Sequence, residues 1–189
     1  MTGADGFALA IVPHGDAGRF DAGRAAAREA LHRLTGRDAE EFRIEARCPD
    51  CGGPHGRPLV VGEPGLHVSI THADGRAVAV AARVPVGVDA EPVTTNVDRL
   101  AAAASLLDQS ARELPPLEAW TAAEAVLKAD GRGLRVDPSA VRFEDGGASI
   151  APGQRRYRIL RPDARPDGRP DGAGGLAIAV ALAIAPVAG

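Results

Sequence analysis

The stretch "LAIAVALAI" (176–184) constrains the fold more than any other. Leu176, Ile178, Val180, Leu182 and Ile184 alternate with alanines. The period of two predicts a strand, and both of its faces are apolar, one large and one small. Such a strand belongs in the middle of a sheet that is covered on both sides. The apolar run to Ala185 is about half the length of a membrane-spanning helix.

A sheet covered on both sides needs further strands and helices. "FALAIVP" (7–13) reads as a first strand, and "DAGRAAAREALHRLTG" (21–36) as a helix with Asp21 as N-cap and Gly36 as stop signal. "GLHVSITH" (65–72) alternates: Leu66, Val68 and Ile70 face one way, His67, Ser69 and Thr71 the other. "ADG" (73–75) is a turn, and "RAVAVAARV" completes a hairpin over 65–84. "PVGVDAEPV" is a strand with Val86 and Val88 opposite Asp89 and Glu91. A helix over 98–115 is interrupted by Pro115 and Pro116; a second starts at Leu117 and ends near Gly131. "AVRFE", "QRRYRIL" and "LAIAVALAI" are the last three strands. "RPDARPDGRPDGAGG" (161–175) reads as a flexible loop.

Regular βαβαβ alternation is absent, so the order predicts an α+β fold. It divides into two small units, 1–84 and 85–189, each a helix on an antiparallel sheet. With 45% hydrophobic residues and only 3% aromatics, the core must be built from Ala, Val, Leu and Ile. A net charge of −3 argues against general nucleic-acid binding. Two cysteines suggest a reducing compartment. The start lacks a charged segment followed by a long apolar core, so no signal peptide is expected and the reading is cytoplasmic, without a membrane partner.

Four constellations can carry chemistry. Asp89 and Glu91 lie two apart on one strand face, so both carboxylates reach one point. Their repulsion is relieved by protonation or by a cation, and hard oxygens suit Mg²⁺; the plain alternative is a solvated strand end. On the helix after Pro116, at about 100° per residue, Glu124 falls between Leu117 and Trp120, with Lys128 beside it. The pair is either an ordinary surface i,i+4 contact or an inward-facing carboxylate and ammonium serving a metal–phosphate cluster. His72 and Arg57 are phosphate-donor candidates. "CPDCGGPH" (48–55) resembles half a zinc site, with Cys48, Cys51 and His55, and His14, His32 or His67 as a distant fourth ligand. A rigid turn presenting Arg57 is the alternative.

In order, "GRP" (56–58), "HVSITH" (67–72), "GVDAE" (87–91) and "WTAAEAVLKADGRGL" (120–134) resemble the successive motifs of Sfp-type 4′-phosphopantetheinyl transferases. The family pattern is Gly-Lys/Arg-Pro, small-Ser-His and Gly-Val/Ile-Asp-Ile/Val-Glu, and then Trp-x-x-Lys/Arg-Glu-Ala-x-x-Lys-x-x-Gly-x-Gly-Leu. The resemblance implies a pseudo-dimer of two similar halves with the active site between them, complete in a monomer. It implies transfer of 4′-phosphopantetheine from coenzyme A to a serine of an apo acyl or peptidyl carrier protein, giving the holo carrier and 3′,5′-ADP. By position, Asp89, Glu91 and Glu124 would hold Mg²⁺. Glu124 would be the general base and Lys128 would stabilise charge on the bridging oxygen. Arg28, Arg57, Thr71, His72 and Lys128 would hold coenzyme A. Thr71 stands where the family usually has Ser. Ala123 stands where a Lys or Arg usually precedes the glutamate, which removes a cation near the phosphates. The segment from Pro92 to Trp120 is short. A non-catalytic coenzyme A or carrier-protein binding module of the same fold, and a small zinc-stabilised protein, are the rival readings.

Overall fold

A computed structural model describes all residues except 1–5, 16–17, 47, 49–50, 54–55, 152–154, 163–174 and 185–189. The fold is α+β, built on two antiparallel sheets and a small ribbon. The first sheet has the order β1 (Phe7–Pro13), β5 (Arg76–Ala82), β4 (His67–Ala73). Its β4–β5 turn places Asp74 at φ 49° and Gly75 at φ 66°, the double left-handed geometry that suits a two-residue hairpin. Helix α1 (Arg19–Thr35) covers one face. Ala22, Ala26, Ala27, Ala30 and Leu31 meet Ala77, Ala79, Ala81 and Val68 there. The helix begins two residues before Asp21, which lies in its first turn rather than at the N-cap; Gly36 ends it at φ 75°. An aspartate in the first turn still favours the helix dipole.

The second sheet has five strands. It runs β6 (Val86–Pro92), β10 (Leu176–Ala183), β9 (Arg155–Leu160), β8 (Gly147–Ile150), β7 (Val141–Glu144). Strand β10 is flanked on both edges, as its two apolar faces require. Leu176, Ile178, Val180 and Leu182 join Val86 and Val88 against Val78, Val80 and Ala82 of the first sheet. Ala179 and Ala181 lie under helix α3 (Pro116–Asp130). The layers are therefore α1, first sheet, second sheet, α3. Alanine on the helix-covered faces lets helix and sheet approach closely, which suits a core with few aromatics.

Two expectations change. The 98–115 helix is shorter: α2 (Val97–Ala104) ends early, and a 3-10 turn at Gln109–Glu113 follows. Asp108 causes the break, because its carboxylate accepts from the Ser110 amide at 3.0 Å and caps a new start. Strand β8, from "GASI", has no β-branched pattern to announce it; the signal was the Asp145-Gly146 turn before it, with Gly146 at φ 70°. The proposed flexible loop falls mostly outside the described residues, apart from Arg161, Pro162 and Gly175. Among the described residues, no helix is long and apolar enough to cross a membrane.

The ribbon β2 (Ile44–Ala46) and β3 (Pro58–Val60) flanks the segment with Cys48 and Cys51. The Cys48 amide donates to Gly53 and the Gly52 amide to Cys48, both at 2.9 Å. The Gly53 amide meets Cys51 Sγ at 3.4 Å.

Candidate active site at the seam between the sheets

Strands β4 and β6 are edges of different sheets lying side by side. Edge amides need partners, and side chains supply them here. Ser69 Oγ accepts from the Val88 amide at 3.1 Å. Two residues on, Thr71 Oγ1 donates to Asp89 Oδ1 at 3.0 Å. Ser69, Thr71 and Asp89, all buried, sit at this seam; the Asp130 side chain, also shielded at 5% exposed, is held elsewhere by Arg132.

Alternation along β6 explains the placement. Val86, Val88 and Ala90 enter the core between the sheets. Asp89 and Glu91 therefore project to the opposite side, as does Gly87, which lies directly under α3. A methyl group on Gly87 would come 2.5 Å from the Ala129 amide nitrogen and closer still to the Ala125 carbonyl oxygen. Glycine thus lets the helix backbone rest on the strand. That contact brings Lys128 Nζ to 2.6 Å from Asp89 Oδ1 and 3.2 Å from Thr71 Oγ1. The Asp89 side chain is 9% exposed and that of Lys128 31%, so the pair is shielded but reachable from solvent.

Glu124 lies one turn before Lys128. Burial pushes its carboxyl above the usual carboxylate range; Lys128 opposes the rise, and Asp89 and Glu91 add to it. The three carboxylates are close enough to repel one another. Thr95 Oγ1, which donates to the Pro92 carbonyl at 2.7 Å, lies 3.4 Å from Glu91, and Arg99 lies 4.0 Å from it. In donor type the set fits a hard divalent cation, which would relieve that repulsion. Among the described residues no three His, Cys, Asp or Glu side chains form a closed metal cluster. Asp89 is engaged by Lys128 and Thr71, and Glu91 faces Arg99.

A cleft of about 250 Å³ opens beside Lys128, lined by Arg57, Pro58, Leu127 and Gly131. Gly131 caps α3 at φ 82°, and a Cβ there would strike the Arg57 guanidinium. An adjoining cavity of about 190 Å³ shares Gly56, Pro58 and Ile70 with the cleft and adds Phe20, Arg24 and His72. Together they form one groove from α1 to α3. A larger depression, of about 490 Å³ beside Arg142, Glu144 and Arg156, lies apart from these residues.

His72 donates its Nε2 hydrogen to the Arg19 carbonyl at 2.9 Å and meets the His14 ring edge-on at 5.4 Å. Burial lowers its pKa, so the imidazole is neutral near pH 7. Arg28 is directed elsewhere: its Nε donates to the Phe42 carbonyl at 3.0 Å. Arg24, one helical turn earlier, lines the groove instead. Ala123 is 0% exposed and packs in the core with Tyr157 and Ala148, so a longer cation at this position would enter the core rather than the groove. The proposed distant zinc ligands His14, His32 and His67 form no cluster with Cys48 and Cys51 among the described residues, and His55 lies outside them.

The structure thus joins Asp89, Lys128 and Thr71 by hydrogen bonds, sets Glu124 within electrostatic reach of Asp89, Glu91 and Lys128, places Arg57 and His72 along the groove, and leaves Arg28 out. Sequence reasoning missed Ser69, Arg24 and Phe20. Ser69 was signalled by sharing a face with Thr71. Arg24 needed the helix phase on its sheet, which the sequence does not carry. No protein-family model matches the chain, and no curated protein matches it either.

Proposed function

We propose that the chain is a Mg²⁺-dependent 4′-phosphopantetheinyl transferase of the Sfp type. It moves 4′-phosphopantetheine from coenzyme A to a serine of an acyl or peptidyl carrier protein and releases 3′,5′-ADP. The observation that carries the reading is the shielded contact of Lys128 with Asp89, with Glu124 one turn away, at the mouth of a groove carrying Arg57. An acid, a base and a cation at one point suit transfer between two anionic or hydroxylic partners.

In this reading Arg57 and Lys128 bind the pyrophosphate of coenzyme A, and Arg24 and His72 its adenine end. Asp89, Glu91 and Glu124 hold Mg²⁺, which when bound neutralises pyrophosphate charge. Glu124, directly or through a water, takes the proton of the carrier serine. The serine oxygen forms a bond to the β-phosphorus, the bond from that phosphorus to the bridging oxygen breaks, and 3′,5′-ADP leaves. Lys128 stabilises the charge on that oxygen. The two sheets with their helices act as related halves, 1–84 and 85–189, so one chain makes a complete site and a monomer suffices. Two cysteines are too few for a disulfide framework, which suits a cytoplasmic setting.

The test combines labelled coenzyme A, Mg²⁺ and a panel of apo carrier proteins, with parent and Asp89→Ala, and follows thermal unfolding alongside. Label transfer by the parent and none by a folded Asp89→Ala is expected. Tight coenzyme A binding without transfer would favour the non-catalytic binding module. Full transfer by Asp89→Ala would end the assignment of these residues.

A further inference from the structure

A threonine hydroxyl has one hydrogen to donate and two lone pairs to accept with. In Thr71, which is 8% exposed, the hydrogen goes to Asp89 Oδ1 at 3.0 Å, and the oxygen accepts from Lys128 Nζ at 3.2 Å. With Nζ and Oδ1 themselves 2.6 Å apart, the three polar atoms close a triangle. Its corners come from β4 of the first sheet, β6 of the second and helix α3. A hydroxyl engaged in this way has no hydrogen left for a phosphate.

The triangle answers a mechanical need. No backbone ladder joins β4 to β6, so side chains set the spacing across the seam. Ser69 does so for the backbone, through the Val88 amide. Lys128 ends a stem of four methylenes and has many rotamers to choose among. Threonine is stiff at χ1 because it is branched at Cβ, so its hydroxyl is a better fixed reference point than that of serine.

We infer that Thr71 is a positioning residue, which holds Asp89 Oδ1 and Lys128 Nζ in register across the seam and does not bind the substrate. The inference rests on the transferase reading and replaces the coenzyme A contact that the family resemblance implies for Thr71. The ligand-facing donors are then Arg57 and Lys128.

The test uses the full chain as parent, Thr71→Val and Thr71→Ser. In the transfer assay Thr71→Val should lower kcat roughly ten- to a hundredfold, the worth of one hydrogen bond to a charged group, and leave KM for coenzyme A within about twofold. Thr71→Ser should recover most of the rate. A raised KM at unchanged kcat would show that Thr71 touches the ligand and would overturn the inference, as would a parent-like Thr71→Val. A second arm needs no catalysis: urea unfolding of Thr71→Val, Lys128→Met and the double variant. The destabilisation caused by Thr71→Val should change by about half or more once Lys128 is gone, because the two side chains share Asp89. Strictly additive losses would overturn the inference. If the parent transfers nothing, the transferase reading fails, and the unfolding cycle still decides whether the triangle holds. Thr71→Ala takes the place of Thr71→Val in both arms if the latter does not fold.

Discussion

Gly87→Ala adds one methyl group at the contact that positions Lys128. The new carbon would stand 2.5 Å from the Ala129 amide nitrogen, against an ordinary non-bonded separation of about 3.5 Å. The helix must therefore lift from β6 by about 1 Å, and the Ala125 carbonyl demands at least as much. Both obstacles are backbone atoms, so no rotamer change relieves the clash. Overpacking costs roughly 1–3 kcal/mol, and a clash with backbone belongs near the top of that range, about 3 kcal/mol. For a chain of this size that is a fall in Tm of roughly 6–12 °C. The same lift would disturb the contact of Lys128 Nζ with Asp89 Oδ1, now 2.6 Å, and the lysine stem would have to readjust to keep it. Thermal unfolding with coenzyme A calorimetry on the same samples measures both effects. A Gly87→Ala protein that melts and binds like the parent would refute the close approach of α3 to β6 and the placement of Lys128 that follows from it.

Ala123→Lys introduces the cation usual at this place in the transferases that the sequence resembles, but should unfold the protein rather than tighten ligand binding, because an ammonium in a fully buried position costs several kcal/mol. Urea unfolding checks it, and a stable variant with tighter coenzyme A binding would refute it. Arg24→Ala should weaken coenzyme A binding roughly tenfold, by loss of a charge-assisted contact, and by more than Arg28→Ala does; calorimetry that finds the reverse order would place the groove wall elsewhere. Burial holds His67 and His72 below the ordinary imidazole pKa, helped at His67 by the charge of Arg57. Below about pH 6.5 the unfolded chain takes up protons that the folded chain does not. This contribution is therefore complete above that pH and is lost as pH falls through the lowered folded values. Tm measured from about pH 7.5 to 5.5 should fall less steeply in His67→Gln and His72→Gln than in the parent, and parallel slopes would contradict the assignment.

Local patterns were legible wherever one element settled them. The alternation in "GLHVSITH" and "GVDAE" put Thr71 and Asp89 on the correct faces, and the stop at Gly131 and the one-turn spacing of Glu124 and Lys128 needed only the helix period. The alternation of large and small residues in "LAIAVALAI" was enough to call for a central strand. Strand β8 was missed because Gly147, Ala148 and Ser149 have no strand pattern of their own and pair only because β7 and β9 flank them.

The chain alone determines which residues share a face, because backbone geometry repeats every two residues in a strand and every 3.6 in a helix. It does not determine what covers that face. Thr71, Asp89 and Lys128 meet across separations of 18 and 39 residues, and only the stacking of two sheets and the bare backbone at Gly87 bring them into contact. Ala123 is buried and Arg24 rather than Arg28 lines the groove for the same reason. Each helix can turn about its own axis without changing its sequence pattern, and packing against a particular sheet selects one rotation.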